Sequence, residues 1–251
     1  MSLLSGMNVL VTGASGGIGA AIVESLAREG ARPIIHYGSN ERQARQLLDG
    51  IGGEGWIVQA DLANPSGPTA LWTKAIEVAG RIHALIGNAG IRTEITIDAD
   101  LDAWQKVWAR EFQVNLFATV DLSRLAIRHF RQQGGGKIIT IASRAAQRGY
   151  VADAMPYGAS KAALINLTKS IARSYGGDGI VAVAIAPGWV HTEMADEFIR
   201  RFGVDAAIGD IPIGAMAETG EIADLVTFIL RPSQQSLNGA TLDVNGGSYM
   251  R

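Results

Sequence analysis

The sequence predicts an α/β fold of the doubly wound type, a parallel sheet of about seven strands with helices on both faces, and three observations carry the prediction. Short apolar runs recur about seven times, longer stretches with a 3.6-residue apolar period separate them, and the 31 glycines fall mostly at the ends of the runs. Strands that alternate with helices need crossover connections, which are right-handed and leave the sheet covered on both sides. Strands buried on both faces read as near-continuous apolar runs.

The runs are Asn8 to Thr12 (NVLVT), Pro33 to His36 (PIIH), Gly55 to Gln59 (GWIVQ), Ala84 to Gly87 (ALIG), Lys137 to Ile141 (KIITI), Val181 to Ile185 (VAVAI) and Thr241 to Val244 (TLDV). Each is too short for a helix, so each is expected to be a strand. Between them, Ile22, Leu26 and Ala27, and later Leu164, Leu167, Thr168 and Ile171, show the spacing of one helix face. No linker or change of composition divides the chain, and a single domain over 1–251 is expected. Ligands of this architecture sit outside the carboxyl ends of the strands, so the residues just after each run are the place to look for function.

Bulk composition narrows the classes. Hydrophobic residues make up 47 % and charged residues 18 %, and no window reaches a membrane span, which takes roughly 18 apolar residues. The net charge of −2 is interspersed along the chain, which gives no basic stripe for nucleic acid. The absence of cysteine removes disulfides, thiolate metal sites and cysteine nucleophiles, and permits a reducing compartment. His36, His83, His129 and His191 are isolated, so no metal is expected. The start, MSLLSGMNVLVTG, lacks a basic region and a cleavage pattern, and a cytoplasmic location is expected.

After the first run comes Thr12-Gly13-Ala14-Ser15-Gly16-Gly17-Ile18-Gly19, leading into a helix. Glycines let the backbone turn tightly and approach a pyrophosphate, and the helix start supplies N–H groups and positive dipole. Gly13, Ser15, Gly17, Ile18 and Gly19 are therefore candidate dinucleotide ligands. After the second run, Ile34-Ile35-His36-Tyr37-Gly38-Ser39-Asn40 contains no carboxylate. An acidic side chain there would bind a ribose diol and repel a 2′-phosphate, so its absence favours NADP, with NAD as the alternative. Tyr37 takes the acidic position, and Ser39, Asn40 and Arg42 are candidate phosphate partners or, equally, the start of a solvated helix.

Tyr157 and Lys161 share one helix face a turn apart. An ammonium near a phenol stabilises the phenolate, so the spacing predicts a tyrosine pKa below its usual value of about 10. Ser143 follows the fifth run, where its hydroxyl can hold a substrate oxygen beside the phenol.

The TGxxxGxG spacing of Gly13, Gly17 and Gly19, the Asn88-Ala89-Gly90 motif, the ordered set Asn115, Ser143, Tyr157 and Lys161, and Pro187-Gly188 resemble the short-chain dehydrogenase/reductase family, from Asn8 to the NGATLDVNGG ending. The resemblance implies a Rossmann-type nucleotide-binding domain and an NAD(P)-dependent oxidoreductase that moves a hydride between nicotinamide and a ketone or secondary alcohol, with Tyr157 as acid/base. It implies that Asp61 and Leu62 meet the adenine, although Asp61 also suits a helix N-cap, that Asn88, Ala89 and Gly90 pass close to the cofactor, and that Asn115 supports a proton relay to Lys161. Lys161 would also hold the nicotinamide ribose, and Pro187, Gly188, Val190 and Thr192 the carboxamide end, although Thr192 also suits a helix N-cap.

Within the family the chain is similar to 3-oxoacyl-carrier-protein reductases. Of the basic pair that receives the carrier protein, Arg173 is kept and the other position is Gly134, which argues against a carrier-protein substrate. The resemblance further implies a homotetramer or homodimer, with Ala159, Ala162 and Ala163 as a small-residue contact face, and a lid over Trp189 to Gly214. Trp189, Met194, Phe198 and Phe202 would line an apolar pocket or pack the core, and Arg144 and Arg148 favour a polar or anionic substrate or lie at the surface. Two rivals are a catalytically silent dinucleotide-sensing regulator, which would be expected to lose Tyr157 or Lys161, and a sugar-nucleotide epimerase, which needs more than the fewer than 100 residues that follow Lys161.

Overall fold

A computed structural model describes residues 2–251; Met1, the first residue of the expected 1–251 domain, lies outside the described residues. The strands are β1 (Asn8–Val11), β2 (Arg32–Tyr37), β3 (Trp56–Gln59), β4 (Ala84–Gly87), β5 (Gly136–Ile141), β6 (Ile180–Pro187) and β7 (Thr241–Val244). All pair parallel, in the order β3-β2-β1-β4-β5-β6-β7. Every expected strand forms, with ends shifted by a residue or two where flanking residues extend the ladder.

Alternation along the strands explains why both sheet faces are apolar. In one row of the register Ile34, Leu10, Leu85, Ile138 and Ala182 lie side by side, and all five point to the same core. The next row, Ile35, Val11, Ile86, Ile139 and Val183, points to the opposite core. Leu71 and Trp72 of α3 (Gly67–Ala79), Leu122 and Phe130 of α5 (Ala118–Gln132) and Ile171 of α7 (Met155–Tyr175) cover the first face. Ile22 and Leu26 of α1 (Gly17–Arg28), Ala44 of α2 (Glu41–Gly50) and Ile222 and Val226 of α10 (Thr219–Leu230) cover the second.

The remaining helices flank the site. A π-turn at Gln113–Phe117 joins α4 (Leu101–Phe112) to α5, and α6 (Ala145–Arg148) follows β5. The segment after β6 carries α8 (Glu193–Phe202) and α9 (Val204–Ile208), which have a small core of their own around Ala195, Ala207, Ile211 and Met216. The strand order reverses between β1 and β4, and the carboxyl ends of these strands open onto one cleft of about 640 Å³. Among the described residues no helix is long and apolar enough to cross a membrane.

Candidate active site

The cleft begins at the glycine loop. Gly13 has φ +59°, and a Cβ there would stand 2.9 Å from the Cα of Ala89. A Cβ on Gly19 would stand 2.3 Å from the carbonyl oxygen of Gly13, so α1 can approach β1 this closely only without a side chain. Gly16 at the N-cap of α1 has no side chain to cap the first-turn N–H groups, which leaves donors of the kind a pyrophosphate takes. Ser15, Gly17 and Ile18 line the cleft here, while Gly19 lies behind them as the contact between helix and strand. This cradle fits a dinucleotide.

His36 holds the loop in place, a role the sequence did not suggest. Its Nδ1 accepts from the N–H of Gly13 at 2.9 Å, and its Nε2 lies 3.1 Å from the carbonyl oxygen of Ala60, so the ring is the Nε2–H tautomer. Burial lowers its pKa to about 4, and the hydrogen bond to Ala60 only partly opposes this. Tyr37, one residue on, points to the other side: its ring packs with Ile35 in the core rather than lining the cleft. Asn40 also turns away and caps α2, accepting from the N–H of Gln43 at 3.2 Å. Ser39 and Gln43 line the cleft at this end instead, and Arg42 is exposed outside it. Asp61 and Leu62 line the cleft after β3, where Asp61 accepts from the N–H of Ala63 at 2.9 Å in a local turn.

Asn88 joins two strand ends. Its amide donates to the carbonyls of Thr12 and Gly13, both at 2.9 Å, while the Thr12 hydroxyl accepts from the N–H groups of Asn88 and Ala89. Ala89 and Gly90 follow along the cleft wall. Across from them Pro187, Gly188, Val190 and Thr192 line the cleft after β6, and Thr192 caps α8 through Ala195 at 3.4 Å.

The four residues singled out for chemistry meet at the centre. The Asn115 amide accepts from the N–H of Ile91 at 2.7 Å and donates to the Ile91 carbonyl at 2.9 Å and to the Ser160 hydroxyl at 3.1 Å. Its side chain is fully buried, fastening the loop after β4 to α7. The Lys161 ammonium donates to the carbonyl of Ile141 at 2.8 Å and lies 5.8 Å from the centre of the Tyr157 ring. Ser143 accepts from the N–H of Ala145 at 3.1 Å, and its hydroxyl faces that of Tyr157.

The phenol differs from expectation. Burial, followed by the neighbouring Tyr150, pushes the Tyr157 pKa up to about 12, and the hydrogen bond to Ser143 only moderates this. Lys161 does not offset the burial, because its ammonium is turned to Ile141 and is itself brought down to about 8 by burial. Tyr157 is therefore a protonated acid at neutral pH.

Charged groups surround the far end of the cleft. Arg92 lies 5.5 Å from the Tyr150 ring, which is 5.6 Å from that of Tyr157, and donates to Glu94 at 3.0 Å. Glu94 also accepts from Arg201 of α8 at 2.8 Å. Arg144 is buried and shares Asp210 with Arg148. Glu111 is fully buried, accepts from the N–H of Thr93, and is held above the usual carboxylate range by burial. Two of these pairs tie the segment after β6 to the loops after β4 and β5. Trp189 and Met194 of that segment line the cleft, whereas Phe198 packs against the segment's own core, its ring tilted between those of Trp189 (4.6 Å) and the exposed Phe202 (4.8 Å). His36, Gln43, Arg92 and Tyr150 were not among the expected site residues; strand alternation, which puts Tyr37 beside Ile35 and His36 opposite, is the signal that bears on the first.

The short chain dehydrogenase family model matches residues 7–201. The 3-oxoacyl-[acyl-carrier-protein] reductase of Vibrio cholerae is 32 % identical over 247 residues, covering 98 % of this chain and 99 % of the relative. The short-chain reductase protein NovJ of Streptomyces niveus is 35 % identical, covering 95 % of this chain and 92 % of the relative. Among solved structures, a short chain dehydrogenase from Burkholderia cenocepacia in complex with NADP superposes with a TM-score of 0.88 at 34 % identity, covering 98 % of both chains. The chain therefore belongs to the short-chain dehydrogenase family of nicotinamide-dependent oxidoreductases.

Proposed function

We propose that the protein is an NADP-dependent reductase of a small ketone, or a dehydrogenase of the corresponding secondary alcohol. One observation carries the reading: Ser143, Tyr157 and Lys161 converge on the same cleft as the glycine cradle, with Asn115 bracing the helix that holds two of them. The nicotinamide nucleotide, when bound, supplies or accepts the hydride. The Ser143 hydroxyl orients the substrate oxygen, and the phenol of Tyr157 gives that oxygen its proton in reduction and takes it back in oxidation. Lys161, fixed to Ile141, has two further N–H donors for the ribose hydroxyls. Trp189 and Met194 give the substrate end apolar surface.

The preference for NADP over NAD rests on the β2 end of the cleft. Ser39 and Gln43 offer neutral donors there, and among the described residues none that lines the cleft between β2 and α2 is a carboxylate; the Burkholderia cenocepacia relative was crystallised with NADP. We also read the protein as a cytoplasmic homotetramer or homodimer. An aromatic ladder of Trp104, Trp108, Phe112 and Phe117 along α4 and the π-turn that follows it, with Phe117 half-exposed, supports association, and light scattering reads the mass directly.

Titration with NADPH and NADH, followed by a screen of ketones and secondary alcohols, tests the reading. Tighter binding of NADPH and turnover of at least one ketone are expected. Binding of neither nucleotide would overturn it.

A further inference from the structure

Resting on the reductase reading, we propose that the substrate carries a carboxylate as well as its carbonyl, and that Arg92 binds this group at the end of the cleft beyond Tyr157. Arg92 lines the cleft next to Tyr150 and Tyr157, with its side chain only 13 % exposed. A guanidinium sunk this far needs acceptors for its donors. It has one carboxylate, Glu94, which it shares with Arg201, and its Nε has no acceptor among the described residues.

The second ion cluster repeats the imbalance. Arg144, also on the cleft wall and 5 % exposed, shares Asp210 with Arg148. Each cluster sets two guanidinium groups against one carboxylate, so each leaves a positive charge uncompensated. Lys161 adds to it, and Glu111, the other carboxyl facing Arg92 and Lys161, offsets one positive charge at most. The acids that do line the cleft stand elsewhere: Asp61 follows β3, and Glu193 begins α8 beside Gly17 and Ala20. In a chain of net charge −2, a positive field confined to the substrate end is a local feature. Its low-dielectric walls focus it on whatever enters.

Carboxylate suits this arrangement. Glu94 already occupies one nitrogen of Arg92 and Tyr150 faces the same guanidinium, and the charge that remains suits a planar monoanion. The ion pairs Glu94 to Arg201 and Asp210 to Arg148 also hold the segment after β6 against the same region, so a bound acid would lie between that segment and the loops after β4 and β5.

The test compares a series of oxo acids with their methyl esters and with phosphorylated ketones, using the NADPH-bound enzyme. In the wild type, kcat/KM for the preferred acid should exceed that of its ester by about tenfold or more. The KM of the acid, but not of the ester, should rise with ionic strength. Arg92→Met should reduce the acid-to-ester ratio towards one, mainly through KM, and Arg92→Lys should restore part of it. Equal use of acid and ester by the wild type overturns the proposal even if the variants fail to fold, as does a preference for the phosphorylated ketones. Turnover of neutral ketones alone would overturn the carboxylate while leaving the reductase reading standing; turnover of no ketone by enzyme that binds NADPH would sink the reductase reading itself.

Discussion

His36 gives the protein a defined acid sensitivity. The ring is buried and neutral, wedged between the glycine loop and the end of β3, with its pKa lowered from 6.5 to about 4. In the unfolded chain the imidazole takes up a proton near pH 6.5, and in the folded chain it does so only near 4. Between these values the unfolded state binds more protons, so stability falls as the pH falls, beginning near 6.5 and complete near 4. Each pH unit of that span is worth about 1.4 kcal/mol, and the whole span removes about 3 kcal/mol. Against a typical domain stability of 5–15 kcal/mol that is a large fraction. Carboxylates such as Glu94, held low by its hydrogen bond to Arg201, and the partly buried His83 and His129 also change stability in acid. The comparison must therefore be between the wild type and His36→Gln, which keeps an acceptor and a donor but does not titrate. Urea unfolding followed by tryptophan fluorescence at pH 7, 6, 5 and 4 should show the wild type losing about 3 kcal/mol more than the variant over this range. Parallel pH profiles would refute the assignment of His36 as the buried neutral tie.

Three other outcomes follow from the geometry. Gly19→Ala places a Cβ 2.3 Å from the Gly13 carbonyl oxygen, so it should cost about 1–3 kcal/mol and abolish nucleotide binding; an unchanged NADPH dissociation constant would contradict the cradle. Asp210→Asn leaves the buried Arg144 without its carboxylate, and because Asp210 itself is 44 % exposed the cost should be about 1–3 kcal/mol, below that of a fully buried pair; an unshifted urea midpoint would contradict the ion cluster. Lys161, brought down to about 8 by burial, should lose its proton above that pH, so the rate of ketone reduction should decline there, and Lys161→Arg should move the decline out of range. A decline that stays put in the variant would assign it to another group.

Local rules carried the sequence reading as far as they apply. The strands follow from short apolar runs ended by glycine, the placement of Gly13 and Ser143 from their position after such runs, and that of Lys161 from its helical spacing to Tyr157. Tyr37 shows where position alone is too coarse. Its place at the end of β2 suggested a cofactor contact, but side chains alternate, and the parity that buries Ile35 in the core buries Tyr37 with it. Asn40 and Ser39 were offered together, and the structure separates them because only one can cap α2. The ion pairs Arg201 to Glu94 and Arg144 to Asp210 span 107 and 66 positions, a distance over which no spacing rule operates. The Tyr157 pKa also lay out of reach, since spacing placed Lys161 nearby but only the fold decides where its ammonium points and how deeply the phenol is buried.

The central claim is that Tyr157 is the proton donor in a site that binds nucleotide independently of it. Tyr157→Phe removes the hydroxyl and leaves the ring, the helix and the glycine cradle in place. Single-turnover reduction of a ketone by the NADPH-bound variant should be slower by about 10²–10⁴-fold with the NADPH dissociation constant little changed. Turnover at the wild-type rate would contradict the account.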